Sequence, residues 1–369
     1  MPDFISLFIE EVNRKKPKLN ELFFKEKVKE DTALFEFIKN LWNDIPESFS
    51  HNGKNLYAID ASQRMLSFAL GPYLFISQGL AIGSNGYEKA MLSLEPVHSS
   101  ILENHLAWIR DILMQDIEIK LALKILEEEN PPFTLFLDGS LLSRLSYLIR
   151  YITFELIEYQ KLTQEVLDNT IKLINLAKEK KIELISISKV SRNTFLYQIF
   201  SIDHPEVKDK FPYPPTDSEI LSIFTSTPGY SNPLLTGGER VLGNKQMEIL
   251  DINKELKNSI SKLPAFATFY VRLLPKDQVL RIDIPAYMID DKTTLLSIDF
   301  QWLKDVDINS VLSILNDNCV SSQIYQTPLY LVDKVVRIKR EPDLERYLMI
   351  LRREFSDLLE LDKSQRRFY

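Results

Sequence analysis

Two short stretches of the chain end an apolar run on an aspartate followed by small residues. LYAIDAS carries Asp60 after Leu56-Tyr57-Ala58-Ile59, and FTLFLDGS carries Asp138 after Phe133 to Leu137. A carboxylate where a buried strand meets a turn is either a turn residue, bonding its own backbone, or the anchor of a metal site. The recurrence of the arrangement turns attention to the second reading. A third acid, Glu118, is set among Ile117, Ile119 and Leu121 rather than in a run of charges. Its alternative is an ordinary solvated helix acid. Carboxylates of this kind serve phosphodiester hydrolysis, where they bridge two cations about 4 Å apart so that attacking water and leaving oxygen are both stabilised.

The other ligand types are scarce. Four histidines, His51, His98, His105 and His204, show no HxH, HxxxH or HExxH spacing, and a single Cys319 excludes an intrachain disulfide and a thiolate zinc cluster. Oxygen donors alone point to magnesium or manganese. The chain has 369 residues, 45% hydrophobic and 26% charged, enough for one large or two ordinary domains. It has no apolar run of membrane-spanning length and no secretory leader pattern, so the expectation is a soluble, cytoplasmic protein without a membrane partner. A net charge of −7 argues against wholesale coating of a polyanion and leaves a local basic groove open.

The elements that must position the acids follow from hydrophobic periodicity. Residues 1–48 are expected to be helical, either a layer on the main core or a docking or dimer surface, since Phe4, Leu7, Phe8, Leu34, Phe35, Ile38 and Trp42 recur at helical spacing. After the Asp60 strand the backbone is expected to turn at Ala61-Ser62. The run Met65 to Ile82, broken at Gly71-Pro72, supplies two more strands of an antiparallel meander. A long helix runs from about Glu88 or Ser99 to Glu127, with Leu106, Ile109, Leu113 and Ile117 as its buried stripe. Pro131-Pro132 resets the chain into the Asp138 strand. A helix starts near Leu141, further helices reach Lys180, and a strand over Ile182 to Ile187 leads to Lys189.

Strand, strand, strand, helix, strand, helix, strand is the order of a ribonuclease H-like α/β fold, a mixed β-sheet flanked by helices. There the first and fourth strands are neighbours, which brings Asp60 and Asp138 to one sheet end within reach of Glu118. Residues 49–200 would form this core. Residues 201–264 read as an irregular insertion and helix, with Phe211, Tyr213, Phe224 and Tyr230 either stacking on bases or packing internally. Residues 265–369 hold a hairpin around Pro275-Lys276-Asp277, the stretch SSQIYQTPLYLVDKVVRI, and an amphipathic C-terminal helix over Pro342 to Leu361 with a basic tail, KSQRRFY. Candidate phosphate contacts are Arg144, Lys189, Arg192, Arg272 and Arg281. Lys189 has a helix-capping alternative, and Arg272 and Arg281 have a solvated-face alternative.

Taken together, AIDAS at Asp60, the helix acid Glu118, FLDGS at Asp138, SISK at Lys189, YVRLLPKDQVLRIDIPA, and YQTPLYLVDKVVRI with Tyr325 and Asp333 resemble the NurA family. These are archaeal and bacterial nucleases that work with the HerA hexameric ATPase, and the resemblance covers about residues 54 to 340. It implies a homodimer enclosing a DNA channel. It also implies 5′ to 3′ exonuclease and single-strand endonuclease activity dependent on Mn2+ (or Mg2+), two ions per site, and a role with a HerA-type ATPase in DNA end resection and double-strand break repair. Asp60, Glu118, Asp138 and Asp333 would be metal ligands, and Lys189 and Tyr325 would lie near the substrate. Two positions depart from the family pattern: Ala61 stands where glycine is usual, and Asp333 where histidine is expected. Aspartate can replace histidine as a hard-metal ligand but not as a cationic proton donor. The alternatives are a catalytically weakened subunit that serves as an assembly partner of the ATPase, and a nucleic-acid-binding module without catalysis.

Overall fold

The computed structural model describes residues 3–24, 26–46, 53–101, 103–153, 156–211, 213–304, 306–339, 343–355 and 360–362. The chain divides into two compact units. One comprises residues 1–47, 189–232 and 269–281; the other comprises residues 48–188, 233–268 and 282–369.

The first unit opens with helices Phe4–Phe24 and Thr32–Leu41. Asp31 caps the second by accepting from the Leu34 amide at 3.0 Å and pairs with Lys210 at 2.8 Å. Strand Trp42–Asp44 pairs antiparallel with Gly229–Ser231, which in turn pairs with Val271 and Arg272. The polar centre of this unit is Asp217. Its buried carboxylate accepts from the Phe195 and Leu196 amides at 3.0 and 2.9 Å and from the Tyr270 hydroxyl, and so caps a helix that begins 22 residues earlier. Burial pushes the Asp217 carboxyl up to about 7, against those hydrogen bonds and the Arg281 charge. Asp217→Ala leaves two buried amides and a phenol unpaired. It is expected to cost about 3 kcal/mol in urea unfolding at constant slope.

Arg272 and Arg281 are neither groove residues nor solvated ones. Each is only 2% exposed. Arg272 donates to the Asp277 backbone oxygen and to Thr225 Oγ1, and Arg281 lies over the Phe195 ring, 5.2 Å from its centroid. They sit on strands Phe266–Arg272 and Leu280–Pro285, in which every position is buried. On a strand covered on both faces, alternation with apolar neighbours does not mark an outward side.

The second unit carries the acids. Its elements, in chain order, are β1 (Asn55–Ser67), β2 (Tyr73–Gly83), β3 (Glu88–Val97) and α1 (Glu103–Glu128). Then follow β4 (Phe133–Asp138), α2 (Leu141–Tyr151), α3 (Ile157–Glu179) and β5 (Glu183–Ser188). Helices α4 (Thr327–Val336) and α5 (Glu345–Phe355) come last. The sheet order is β3-β2-β1-β4-β5, with β1 parallel to β4, β4 parallel to β5, and the first three strands an antiparallel meander. This is the ribonuclease H-like topology.

The meander differs from the sequence expectation in two places. No turn interrupts β1 at Ala61-Ser62, and every residue from Tyr57 to Ser67 pairs with β2. Small residues permit a turn without imposing one, and the reversal falls instead at Gly71, whose φ of 106° only glycine adopts readily. The segment from Glu88 is the third strand and not the start of the helix. Its period-2 pattern was obscured because Leu92 and Leu94 point outward, 53% and 49% exposed.

Alternation along β1 separates its two faces. Tyr57 and Ile59 join the core formed with Ile109, Leu113, Ile117 and Leu121 of α1 and with α2 and α3, and Ala61 packs against it. Ala58, Asp60 and Ser62 face the other way. There α4 and α5 close the sheet: the Ile338 amide donates to Ser62 Oγ, Gln78 donates to the Val336 carbonyl, and the Tyr347 hydroxyl donates to Gln78. Leu66, Phe68, Ile76, Leu344, Leu348 and Leu361 pack together there. Leu361 forms an isolated bridge with Phe68 rather than extending the C-terminal helix, and the tail over 363–369 lies outside the described residues.

Helix α1 lies close on β2 at Gly79. A Cβ there would meet Ile117 Cγ2 at 2.2 Å and Leu121 Cδ1 at 2.9 Å. Gly79→Ala is therefore expected to push α1, and Glu118 with it, off the sheet, at a cost of about 1–3 kcal/mol in thermal or urea unfolding.

Candidate active site

The parallel register sets Ile59 opposite Leu137. Asp60 and Asp138 take the next step on neighbouring strands, so their side chains leave the sheet on the same face at the same level. Strand β4 ends there while β1 runs on. The Ala61 amide, just past the last β4 pair, has no strand carbonyl to meet and donates to Asp60 Oδ1 at 2.9 Å. Beyond Asp138 the chain turns at Gly139, with φ of 83° and its amide on the Ile187 carbonyl at 2.8 Å. Ser140 then caps α2 by accepting from the Ser143 amide.

Two more acids reach this opening. Glu118, buried on α1, faces the same Ala61 amide. Asp333 comes from α4, half-buried and paired with Arg337 one turn later at 2.9 Å. Their mutual repulsion is visible at Asp60. Burial first, then the charges of Glu118 and Asp138, and to a smaller degree Asp333, push its carboxyl up to about 8, against the Ala61 hydrogen bond. Glu118 is pushed up by burial and by Asp138, and held down by Arg144.

Arg144, expected as a phosphate contact, is turned inward. One guanidinium nitrogen pairs with Glu118 Oε2 and the other donates to the Asp138 backbone oxygen. Its side chain is 14% exposed. Sequence reasoning missed this because the partner acid lies 26 residues upstream. One signal was available: Arg144 is the fourth residue of a helix, the end where a cation opposes the helix dipole. Arg337 was also missed, although its i,i+4 spacing from Asp333 is readable.

The remaining candidates come from other parts of the chain. Lys189 follows the last residue of β5 and belongs to the first unit, as do Arg192, Arg272 and Arg281. Tyr325 stands half-buried in the bend ahead of α4, eight residues before Asp333.

The donor set of carboxylate oxygens alone fits a hard divalent cation, and a carboxyl held protonated by burial and by its acidic neighbours is what such a cation relieves. Among the described residues no three acidic, histidine or cysteine side chains stand close enough to hold one ion as placed. Two of the four acids are engaged by arginines. The residues fit the chemistry, and holding an ion requires the side chains to close on it.

The comparisons agree with this architecture. The family model described as NurA domain matches residues 54–338. The crystal structure of the NurA nuclease from Sulfolobus solfataricus superposes with a TM-score of 0.58 at 17% identity, over 97% of this chain and 99% of that one. A second crystal structure, of NurA, gives 0.57 at 12% identity, over 95% and 99%. No curated protein sequence matches the chain. Among the described residues no helix is long and apolar enough to cross a membrane.

Proposed function

The chain belongs to the NurA family, and on that premise we propose that it is a metal-dependent DNA nuclease whose site is the acid cluster at the end of β4. The observation that carries this is the parallel register that sets Asp60 and Asp138 on one face at the point where β1 outruns its parallel neighbour. Mn2+ or Mg2+, two ions when bound, would supply Lewis acidity and a nucleophilic water at neutral pH. Asp60 and Asp138 would hold the ions from the strands, Asp333 from α4 and Glu118 from α1. Asp60 would have to be ionised to act as a donor. Asp333 would serve as a ligand, without the cationic proton that a histidine at that position could give.

The finer reading follows the family resemblance. It comprises 5′ to 3′ exonuclease and single-strand endonuclease activity in DNA end resection, a homodimer, and docking on a HerA-type hexameric ATPase. Lys189 and Arg192 would contact the phosphates, and Tyr325 would lie near the substrate.

A second reading is an assembly partner of the ATPase with weakened chemistry. Asp333, standing where the family pattern has histidine, favours it. Linear DNA with millimolar Mn2+, with and without chelator, separates the two. Chelator-sensitive degradation is expected, and intact DNA under those conditions leaves the second reading standing.

The coupling at Asp60 also sets a pH dependence. Its carboxyl must ionise before it accepts a cation, so the Mn2+ concentration for half-maximal cleavage should fall as pH rises from 6 to 8, by up to about tenfold per unit. A metal titration at three pH values checks this.

A further inference from the structure

Arg144 occupies a position its own helix disfavours. Helix α2 presents the positive end of its dipole at this end, and no acid lies in its first turn to offset an arginine there. What the guanidinium meets instead lies outside the helix. One nitrogen is on the Glu118 carboxylate of α1 and another on the carbonyl of Asp138, the last residue of β4. A single side chain thus ties α2 to the end of the strand just before it and to α1, 26 residues upstream, and both of those elements carry acids of the site. The turn between Asp138 and α2 is held from the other side by the Gly139 amide on β5. The spacing between helix acid and strand acid therefore depends on Arg144.

We propose that Arg144 is a positioning residue of the acid site. By joining the Glu118 carboxylate to the Asp138 backbone it sets the distance at which the acids from α1 and β4 face a divalent cation. The inference rests on the nuclease reading above and adds to it a residue that touches neither DNA nor the reacting atoms. A direct phosphate contact is a poor alternative, because the side chain is 14% exposed and both terminal nitrogens are engaged. Charge alone does not explain the residue either. The planar fork reaches a carboxylate and a carbonyl at once, whereas a lysine ammonium on a flexible stem would supply the charge without the fixed geometry.

The test uses the full chain as wild type, Arg144→Lys and Arg144→Met. Mn2+ affinity is read by calorimetry, folding by thermal melting, and kcat and KM on linear DNA. For a folded Arg144→Lys, Mn2+ binding is expected to weaken by about tenfold or more, the range found when a residue orienting a metal ligand is lost. The value of kcat should fall with it while KM for DNA stays within about threefold, since the residue acts on the metal site and not on the phosphates. Wild-type Mn2+ affinity and kcat in Arg144→Lys would overturn the proposal. So would a raised KM with Mn2+ affinity intact, which assigns the residue to DNA. If lysine does not fold, Arg144→Met decides by the same readings, and failure of both to fold overturns the proposal in favour of a purely structural ion pair. Asp60→Asn is the control. If it loses Mn2+ while Arg144→Lys does not, only the positioning role falls; if the wild type takes up no Mn2+, the nuclease reading falls with it.

Discussion

Asp60→Asn is expected to abolish metal-dependent DNA cleavage and, in the same protein, to raise the melting temperature of the metal-free form at pH 8. The loss follows from removing a donor oxygen and its charge from the strand that anchors the cluster, and a fall in rate of at least about a thousandfold is expected. The gain follows from linkage. The carboxyl ionises near 3.8 when unfolded and at about 8 in the folded chain, where burial and neighbouring acids hold the proton on. The favourable contribution of the protonated form is complete below pH 4 and is lost progressively as pH rises from about 4 to about 8, because the unfolded state ionises first. Asparagine carries no such penalty. The variant should match wild type at pH 4 and exceed it at pH 8 by on the order of 3 kcal/mol, discounted for the coupling among the acids. Melting curves in chelator at both pH values, beside a cleavage assay in Mn2+, read both effects. Retained cleavage with Mn2+ would remove Asp60 from the site whatever the fold.

Asp333→Asn carries the second large effect, because this position decides between an active enzyme and an assembly partner. Asp333 comes from α4, on the face toward which Asp60 and Asp138 point, and its present partner is Arg337, 67% exposed. An ion pair that open holds little free energy, so a cation can take the carboxylate from it at small cost. If Asp333 completes the site, Asp333→Asn should lower cleavage at subsaturating Mn2+ by about a hundredfold and raise the Mn2+ requirement. Asp333→His should preserve cleavage and add an ionisation near pH 6.5 that the wild type lacks. Cleavage and Mn2+ requirement unchanged in Asp333→Asn would show that the α4 acid takes no part. Arg337→Ala provides the complement: freeing Asp333 should leave cleavage the same or modestly higher.

Much of the architecture was readable before any coordinates. The order of elements, the strand that ends on Asp138 and the scarcity of histidine and cysteine depend on local pattern and composition, and both survive without knowledge of neighbours. The turn assigned to Ala61-Ser62 and the helix assigned from Glu88 were misplaced for one shared reason. Small residues and outward leucines carry no local signal strong enough to override the pairing that β2 imposes on both flanking strands.

By itself the sequence determined the chemistry on offer: carboxylate oxygens without soft ligands, on two strands whose order makes them neighbours. Only the tertiary structure decided how each charge is used. Arg144 became the buried partner of Glu118, and Arg272 and Arg281 core residues. The reason is physical: a strand or helix pattern tells which residues share a face, but the energy of a charge depends on what stands opposite it and how much water remains. Both are properties of neighbours that arrive from elsewhere in the chain.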